Sequence, residues 1–360
     1  VNPRLFEPLT IRGVTFRNRI WVSPMCQYMC LDGDGMPDDW HLVNAGTYAA
    51  GGVGLVVVEA TGISPEARIT TDCAGIWNDA QRERWSRVVD FVHSQNARIG
   101  IQLAHAGRKA SDYGADTTRS GSTKPAEEGG WTTVAPSPIP FAGMDAPSEL
   151  DSAGIAKVLD DFAAAAQRAV AAGFDVIEIH AAHGYLLHQF LSPLGNARTD
   201  GYGGSLENRA RLLLEVVDRI RGVIPEATPL FVRLSGTDWI DGGWTVDETA
   251  CVARWANQRG ADFFDISSGG ISRDIFISVS PGYQVPLTER VRELGGVPAS
   301  AVGKITSPDQ AERILAEGRA DAVFLGRELI RDPHFALRAA HELGAQIDYV
   351  PLPFRAASWA

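Results

Sequence analysis

The stretch Ala169–His180, AVAAGFDVIEIH, joins three signals in twelve residues. An alanine-rich helix end runs into Gly173, and a short apolar run, FDVIEI, follows at once. Glycine just past a helix supplies the left-handed residue that closes it. A short, bounded apolar run suits a strand buried on both faces.

The phrase recurs. AAGGVGLVVVEA repeats it at Gly52, ANQRGADFFDISS at Gly260 and LAEGRADAVFLG at Gly318. Helix starts punctuate the spaces between: Thr245-x-x-Glu248 reads as a capping box, and so does Ser307-Pro308-Asp309-Gln310, with proline at the first helical position. Eight strands are expected, at 20–25, 54–60, 98–103, 174–179, 230–234, 262–267, 298–302 and 321–325. The clearest helices are expected at 79–95, 153–172, 206–222, 246–259, 284–294, 308–317 and 333–343. Strict alternation implies parallel strands with right-handed crossovers, and eight units imply a closed (β/α)8 TIM barrel in one domain spanning 1–360. An open doubly wound sheet is the alternative. Residues 104–150, rich in Gly, Ser, Thr and Pro, break the rhythm after the third strand and read as a lid or capping insertion, with 345–360 left as a C-terminal tail.

With 45% apolar residues the 360-residue chain can bury a large core. A net charge of −11 argues against a nucleic-acid partner, which calls for a basic face. Cys26, Cys30, Cys73 and Cys251 are scattered, forming neither a zinc nor an iron–sulfur pattern, and so few suit a reducing compartment. No run reaches the ~18 apolar residues of a membrane span, and the start VNPRLFEPLT lacks the apolar core of a signal peptide. The expectation is a cytoplasmic protein without membrane or nucleic-acid partners.

Barrel active sites gather at the C-terminal ends of strands. Those ends are polar here: SPMCQY (Ser23–Tyr28), Glu59 and Thr61, then Gln102, His105, Arg108 and Lys109, then HAAHGY (His180–Tyr185), Arg233, and Ser267–Gly270. Arg233 inside an apolar strand needs a partner, either an electron-rich ligand or an internal carboxylate. Gly303, Gly326 and Arg327, in the last two loops, favour a phosphate. His180 and His183 are three apart, so on a helical turn they would share a face. They suit a metal pair poorly, since no third ligand is evident, so no metal site is assigned. Satisfied loop histidines are one reading; two N–H donors aimed at a carbonyl, with Tyr185 as the acid beside them, are the other. Cys26 is either an inert buried thiol or a group that tunes a redox cofactor.

Several stretches together carry a family resemblance. NRIWVSPMCQY, GIQLAHAGRKA, the long run Phe174–Glu215, LFVRLSGTDW, SPGYQV and GRADAVFLGRELIRDP resemble, in order from about Leu5 to His341, the old yellow enzyme family. They are most similar to its thermophilic-like, cysteine-containing class of ene-reductases. The resemblance implies a (β/α)8 barrel with non-covalent FMN, reduced by NADPH or NADH. It further implies reduction of activated alkenes (enones, enals, nitroalkenes, maleimides) by hydride delivery from flavin N5 to Cβ. Carried over, Ser23, Pro24, Met25 and Cys26 line the flavin, Ala60 and Gln102 contact its rings, and Arg233 lies near its N1 and O2. Gly303, Gly326 and Arg327 hold the phosphate. His180 and His183 grip the substrate oxygen with help from Tyr28, Tyr185 protonates Cα, and Cys26 modulates the flavin and meets substrate.

Members of this class form homodimers or homotetramers, and close relatives carry an arginine in a Gln-Tyr-x-Arg tail that reaches a neighbouring active site. The present tail, PLPFRAASWA, departs from that form: Arg355 follows Phe354 directly, shifted by one, with Trp359 as a rival. The readings outside alkene reduction are a flavin-binding redox-sensing barrel, or a phosphosugar aldolase or isomerase, for which Glu59 and Lys109 are the candidate base and amine.

Overall fold

In the computed structural model, which describes residues 2–114, 116 and 118–357, the chain alternates strand and helix from Ile20 onward. The strands are β1 (Ile20–Val22), β2 (Leu55–Gly62), β3 (Arg98–Ala104), β4 (Val176–Ala181), β5 (Leu230–Ser235), β6 (Phe263–Ser267), β7 (Ala299–Ala301) and β8 (Ala322–Leu325). All eight pair in parallel and in chain order, and β8 pairs with β1, so the sheet closes and the doubly wound alternative falls. The outer helices are α1 (Asp39–Ala50), α2 (Asp79–Ser94), α3 (Ser152–Ala172), α4 (Leu206–Arg221), α5 (Val246–Gln258), α6 (Val285–Gly295), α7 (Pro308–Ala316) and α8 (Phe335–Glu342).

Local signals act as read, with two exceptions. Gly173 closes α3 at φ +96, donating to the carbonyls of Ala169 and Val170. Thr245 and Glu248 form a reciprocal capping box. At α7 the box is only half made. Ser307 accepts from Gln310 N–H, but the Gln310 side chain turns back to Thr306 N instead of to the cap. Helix α1 is absent from the expected helices because its apolar residues do not keep to one face: Trp40 and Val43 stand exposed on it.

Alternation along the strands divides the barrel interior into layers. At the N-terminal end, Trp21, Leu55, Val57, Val176, Phe231, Phe263 and Phe324 fill the lumen. The hairpin Leu9–Ile11/Val14–Phe16 plugs that end, its Phe16 ring 4.9 Å from Trp21. Truncating one of these aromatics would cost about 3–5 kcal/mol. Further along five of the strands the interior becomes polar: Gln102, Glu178, Arg233, Asp265 and Ser300 form a belt, all of them buried. The next inward positions, Ser23, Ala60, His180 and Ser267, open at the C-terminal mouth.

One bulge changes this count. The β2–β3 register shifts between Val58 and Ala60, turning Glu59 out of the lumen. Its Oε1 lies 3.1 Å from His41 Nε2 on α1, and its Oε2 accepts from Gln27 N–H at 3.0 Å. The segment after β3 packs across neighbouring loops: Asp112 bridges Thr70, Trp131 Nε1 donates to Glu66 O at 2.9 Å, and Arg198 ties down Pro136 and Leu150. No described helix is long and apolar enough to cross a membrane.

Candidate active site

The exit of β4 assembles the histidines differently from a helical turn. His180 is still in the strand, in register with Arg233 on β5. His183 stands in a turn at φ +60, Gly184 follows at φ +71, and helix begins only at Leu186. This left-handed turn folds the chain back so that the His180 and His183 rings meet edge-on at 5.2 Å. The Tyr185 ring lies 5.0 Å from His180. Ala182 N–H donates to His180 Nδ1 at 3.3 Å, which assigns the ring proton to Nε2. His183 takes a bond from neither strand ladder: its N–H donates to Ser235 Oγ at 2.9 Å, and its Nε2 shares a hydrogen bond with Ser267 Oγ at 2.7 Å. His183 and Tyr185 keep an open edge toward the mouth although their polar atoms lie deep among protein atoms. Burial, then the Arg233 charge, hold both histidines well below the usual imidazole range, so they are neutral donors. Burial, then Cys26, keep the Tyr185 phenol well above its usual range, so its proton stays on.

The β1 exit supplies the facing wall. Cys26, Tyr28 and Tyr185 pack on Ala60, Ala104 and Cys73. Tyr28 is held at φ +53, a left-handed conformation that a bulky residue rarely adopts without cause. Its hydroxyl meets the Cys26 thiol, which burial and then Glu59 push up to about 12. Cys26 is therefore a thiol, not a thiolate nucleophile, at neutral pH. Burial also raises the Tyr28 phenol.

The last two loops bring the glycines together with this wall. Gly303 adopts φ +114, and a side chain at Gly326 would meet Met25 Sδ at 3.5 Å and Ser23 Cβ at 3.8 Å, so the β8 and β1 exits touch. Arg327 is exposed at the start of the short helix Arg327–Arg331. Arg355 is not near these groups in this chain. It sits in the turn Leu352–Ala357, donating to Val350 O at 3.3 Å. The preceding Tyr349 hydroxyl accepts from Asn18 at 2.9 Å, at the opposite end of the barrel. Trp359 lies outside the described residues.

Arg233 has a carboxylate partner. Its Nε lies 2.8 Å from Asp265 Oδ2, an ion pair whose angle misses hydrogen-bond geometry. Glu178 shares the belt, bonded from Gln102 Nε2 at 2.8 Å, and burial, then Asp265, raise its carboxyl above the ordinary range. Neither acid was singled out in the sequence, although each interrupts an apolar strand at an inward position, the same signal that marked Arg233. The carboxylate does not exhaust the arginine. Ser23 Oγ and Glu178 Oε2 are buried with no hydrogen-bond partner among the described residues, and the ion pair with Asp265 engages only Nε of the Arg233 guanidinium. Such groups are costly unless something polar meets them. Orphaned polar atoms beneath the mouth, with side-chain-free positions at 303 and 326, fit a flat polar ring system ending in a phosphate.

The aldolase reading loses both its residues here. Glu59 points away from the lumen toward α1, and the Lys109 ammonium is committed to two backbone carbonyls. Among the described residues, no group of three or more His, Cys, Asp or Glu is arranged to hold a metal ion.

Residues 4–346 match the sequence profile of the NADH:flavin oxidoreductase / NADH oxidase family. The chain belongs to that family. Its relatives include the NADPH dehydrogenase of Geobacillus thermodenitrificans (strain NG80-2), 47% identical over 349 residues and 97% of both chains. The old yellow enzyme homologue from Zymomonas mobilis superposes with a TM-score of 0.77 at 30% identity, over 98% of this chain and 96% of that one. A 2-naphthoyl-CoA reductase, solved in complex with 2-naphthoyl-CoA, superposes with a TM-score of 0.86 at 26% identity. The match covers 94% of this chain but 52% of that longer one, so the chain spans about half its length. This old yellow enzyme family member is an NAD(P)H-dependent flavin oxidoreductase with FMN as its cofactor.

Proposed function

We propose that the protein reduces electron-poor C=C bonds, in α,β-unsaturated aldehydes, ketones, nitroalkenes or maleimides, with Tyr185 as the proton donor. One observation carries this reading: the neutral His180 ring has the neutral His183 ring 5.2 Å away and the protonated Tyr185 ring 5.0 Å away, centroid to centroid. FMN, when bound and reduced by NAD(P)H, would supply the hydride for Cβ. The added charge then moves to the substrate's carbonyl or nitro oxygen. His180 Nε2–H and an N–H of His183 receive that oxygen, with Tyr28 beside them. One such preorganised donor is worth about 2.7–4 kcal/mol in comparable sites. Tyr185 gives its proton to Cα, and the Cys26–Tyr28 wall keeps water away.

The cofactor would be held by Ser23, Pro24, Met25, Cys26, Ala60, Gln102 and Arg233 at the ring, and by Gly303, Gly326 and Arg327 at the phosphate. Arg233 would then balance Asp265 and also meet the electron-rich edge of the bound ring. The assembly proposed is a cytoplasmic homodimer or homotetramer; a role for Arg355 requires a second subunit, because the tail docks away from its own mouth.

The test separates the two half-reactions by stopped flow. Tyr185→Phe is expected to slow oxidation of the reduced enzyme by cyclohexenone about 10²–10⁴-fold, with reduction by NADPH nearly unchanged. An equal loss in both half-reactions refutes the proton-donor role.

A further inference from the structure

Lys109 leaves the β3 exit and ends beneath the β4 exit. Its Nζ donates to His183 O at 2.8 Å and to Gly270 O at 3.1 Å. The same ammonium lies 4.8 Å from the centroid of the Tyr185 ring and 4.7 Å from that of Phe141. The two carbonyls belong to loops in direct backbone contact. A Cβ on Gly184 would stand 2.1 Å from Gly270 O, and one on Gly270 would stand 2.3 Å from His183 C. An ammonium has three N–H donors. Two are fixed by these carbonyls, so the charge is held in one place, against an aromatic face that attracts cations.

We propose that Lys109 is the positioning residue for proton transfer by Tyr185: its charge stabilises the phenolate that Tyr185 becomes. This rests on the reading of Tyr185 as proton donor. In that step the Tyr185 O–H bond breaks, the proton forms the new C–H bond at Cα with the enolate's electron pair, and the substrate leaves neutral. The phenolate remains until it takes a proton from water. Burial makes a bare phenolate costly at this position. The Lys109 ammonium lies 4.8 Å from the centroid of that ring, and an opposite charge within ~4–6 Å favours the charged form of a group.

The charged and titratable groups facing Lys109 come from several elements. Arg108 shares its turn, Arg273 reaches over from the loop after β6, and Asp112 and Cys26 face it with the neutral His180 and His183. Burial, then the two arginines, lower the ammonium to about 8. The sign follows: the charge is present below that pH and lost above it. A neutral amine still donates to both carbonyls, so a fall in rate there reads the charge and not the tether.

The experiment follows the alkene half-reaction of the FMN-loaded enzyme with cyclohexenone, from about pH 6 to pH 10, in wild type, Lys109→Arg and Lys109→Met. Wild type is expected to fall about 10- to 100-fold above pH ~8. Lys109→Arg is expected to push that fall beyond pH ~10, since arginine stays charged. Lys109→Met is expected to start about 10- to 100-fold slower, with the fall absent and NADPH reduction within about twofold of wild type. A Lys109→Met enzyme that keeps the wild-type rate, or the wild-type pH limb, overturns the inference. Tyr185→Phe in the same series separates the two ideas. If it leaves the alkene step unchanged, the reading of Tyr185 fails; if it slows that step while Lys109→Met does not, only the role of Lys109 fails.

Discussion

Arg233 and Asp265 face each other in register on adjacent strands, with Nε 2.8 Å from Oδ2 and almost no solvent on either side chain. Ser300 Oγ donates to the other carboxylate oxygen at 3.2 Å. The pair carries the polar belt that separates the packed aromatic floor from the mouth. Breaking one side of such a pair strands a buried charge, which costs about 3–5 kcal/mol, whereas replacing both partners with apolar groups is often close to neutral. Asp265→Ala is therefore expected to lower the unfolding free energy in urea by about 3–5 kcal/mol, with Arg233→Met/Asp265→Leu regaining most of it. A single variant that loses less than about 1 kcal/mol would show the belt to be wetter than its burial implies.

Glu178 gives the belt a pH signature. Burial, then Asp265, raise its carboxyl, so the folded state binds its proton more tightly than the unfolded chain does. Stability from this group is intact below the ordinary carboxylate range and lost as pH rises through the raised value. Each unit of difference is worth about 1.4 kcal/mol. Thermal unfolding followed between about pH 5 and pH 9 should show the midpoint declining, and Glu178→Gln should flatten that decline. An unchanged slope in Glu178→Gln would assign the decline to another group.

The barrel was legible because its signals are local. A glycine after a helix and an apolar run after the glycine are each read within a dozen residues, and their repetition counts the strands. The polar residues gathered at strand ends were legible for the same reason. What escaped depends on parity and on contacts across the lumen. Glu178 and Asp265 look like stray polar residues until the strands are wrapped and both point inward. The bulge at Val58/Ala60 reverses the facing of Glu59, which no alternation rule reveals. The turn at His183 rests on a positive φ in a non-glycine residue, and such a conformation is imposed by surroundings. Those surroundings are Ser235, Gly270 and Lys109, drawn from three other strand exits.

Contact between the β4 and β6 loops predicts a steric sensitivity. Gly184 has φ +71, and a Cβ there would overlap Gly270 O and Ile271 Cα, both backbone atoms that cannot swing aside. Gly184→Ala thus meets conformational strain of about 1–2 kcal/mol together with a clash that forces the loops apart. The outcome expected is a stable barrel that still takes up FMN but reduces cyclohexenone at least about tenfold more slowly, because small misplacements of reacting groups are costly in rate. Uptake of FMN would be read from the visible spectrum and the rate by stopped flow. Wild-type alkene reduction in Gly184→Ala would mean the loops have slack that their packing does not show.

Ser267 Oγ, 2.7 Å from His183 Nε2, bears on the tautomer of His183. Gln284 Nε2 donates to Val302 O at 3.0 Å, which turns its Oε1 toward Ser267 and Ser268. Ser268 takes the shorter bond to that oxygen, while Ser267 Oγ stands 3.5 Å from it and 2.7 Å from His183 Nε2. The Ser267 proton is best used at His183 Nε2, which leaves the ring proton on Nδ1, because the partner of one ring nitrogen fixes the state of the other. His183 would then present Nδ1–H, and His180 Nε2–H, to one oxygen. Ser267→Ala removes the fixing bond without touching either imidazole. Nitrogen-15 NMR of His183 should report one dominant tautomer in wild type and a mixture in Ser267→Ala. The alkene half-reaction should slow by a smaller factor than the ~10²–10³ expected for removing the donor outright in His183→Ala. If both variants lose the same amount, Ser267 does more than choose a tautomer; if Ser267→Ala keeps the wild-type NMR pattern, the choice is made elsewhere in the turn.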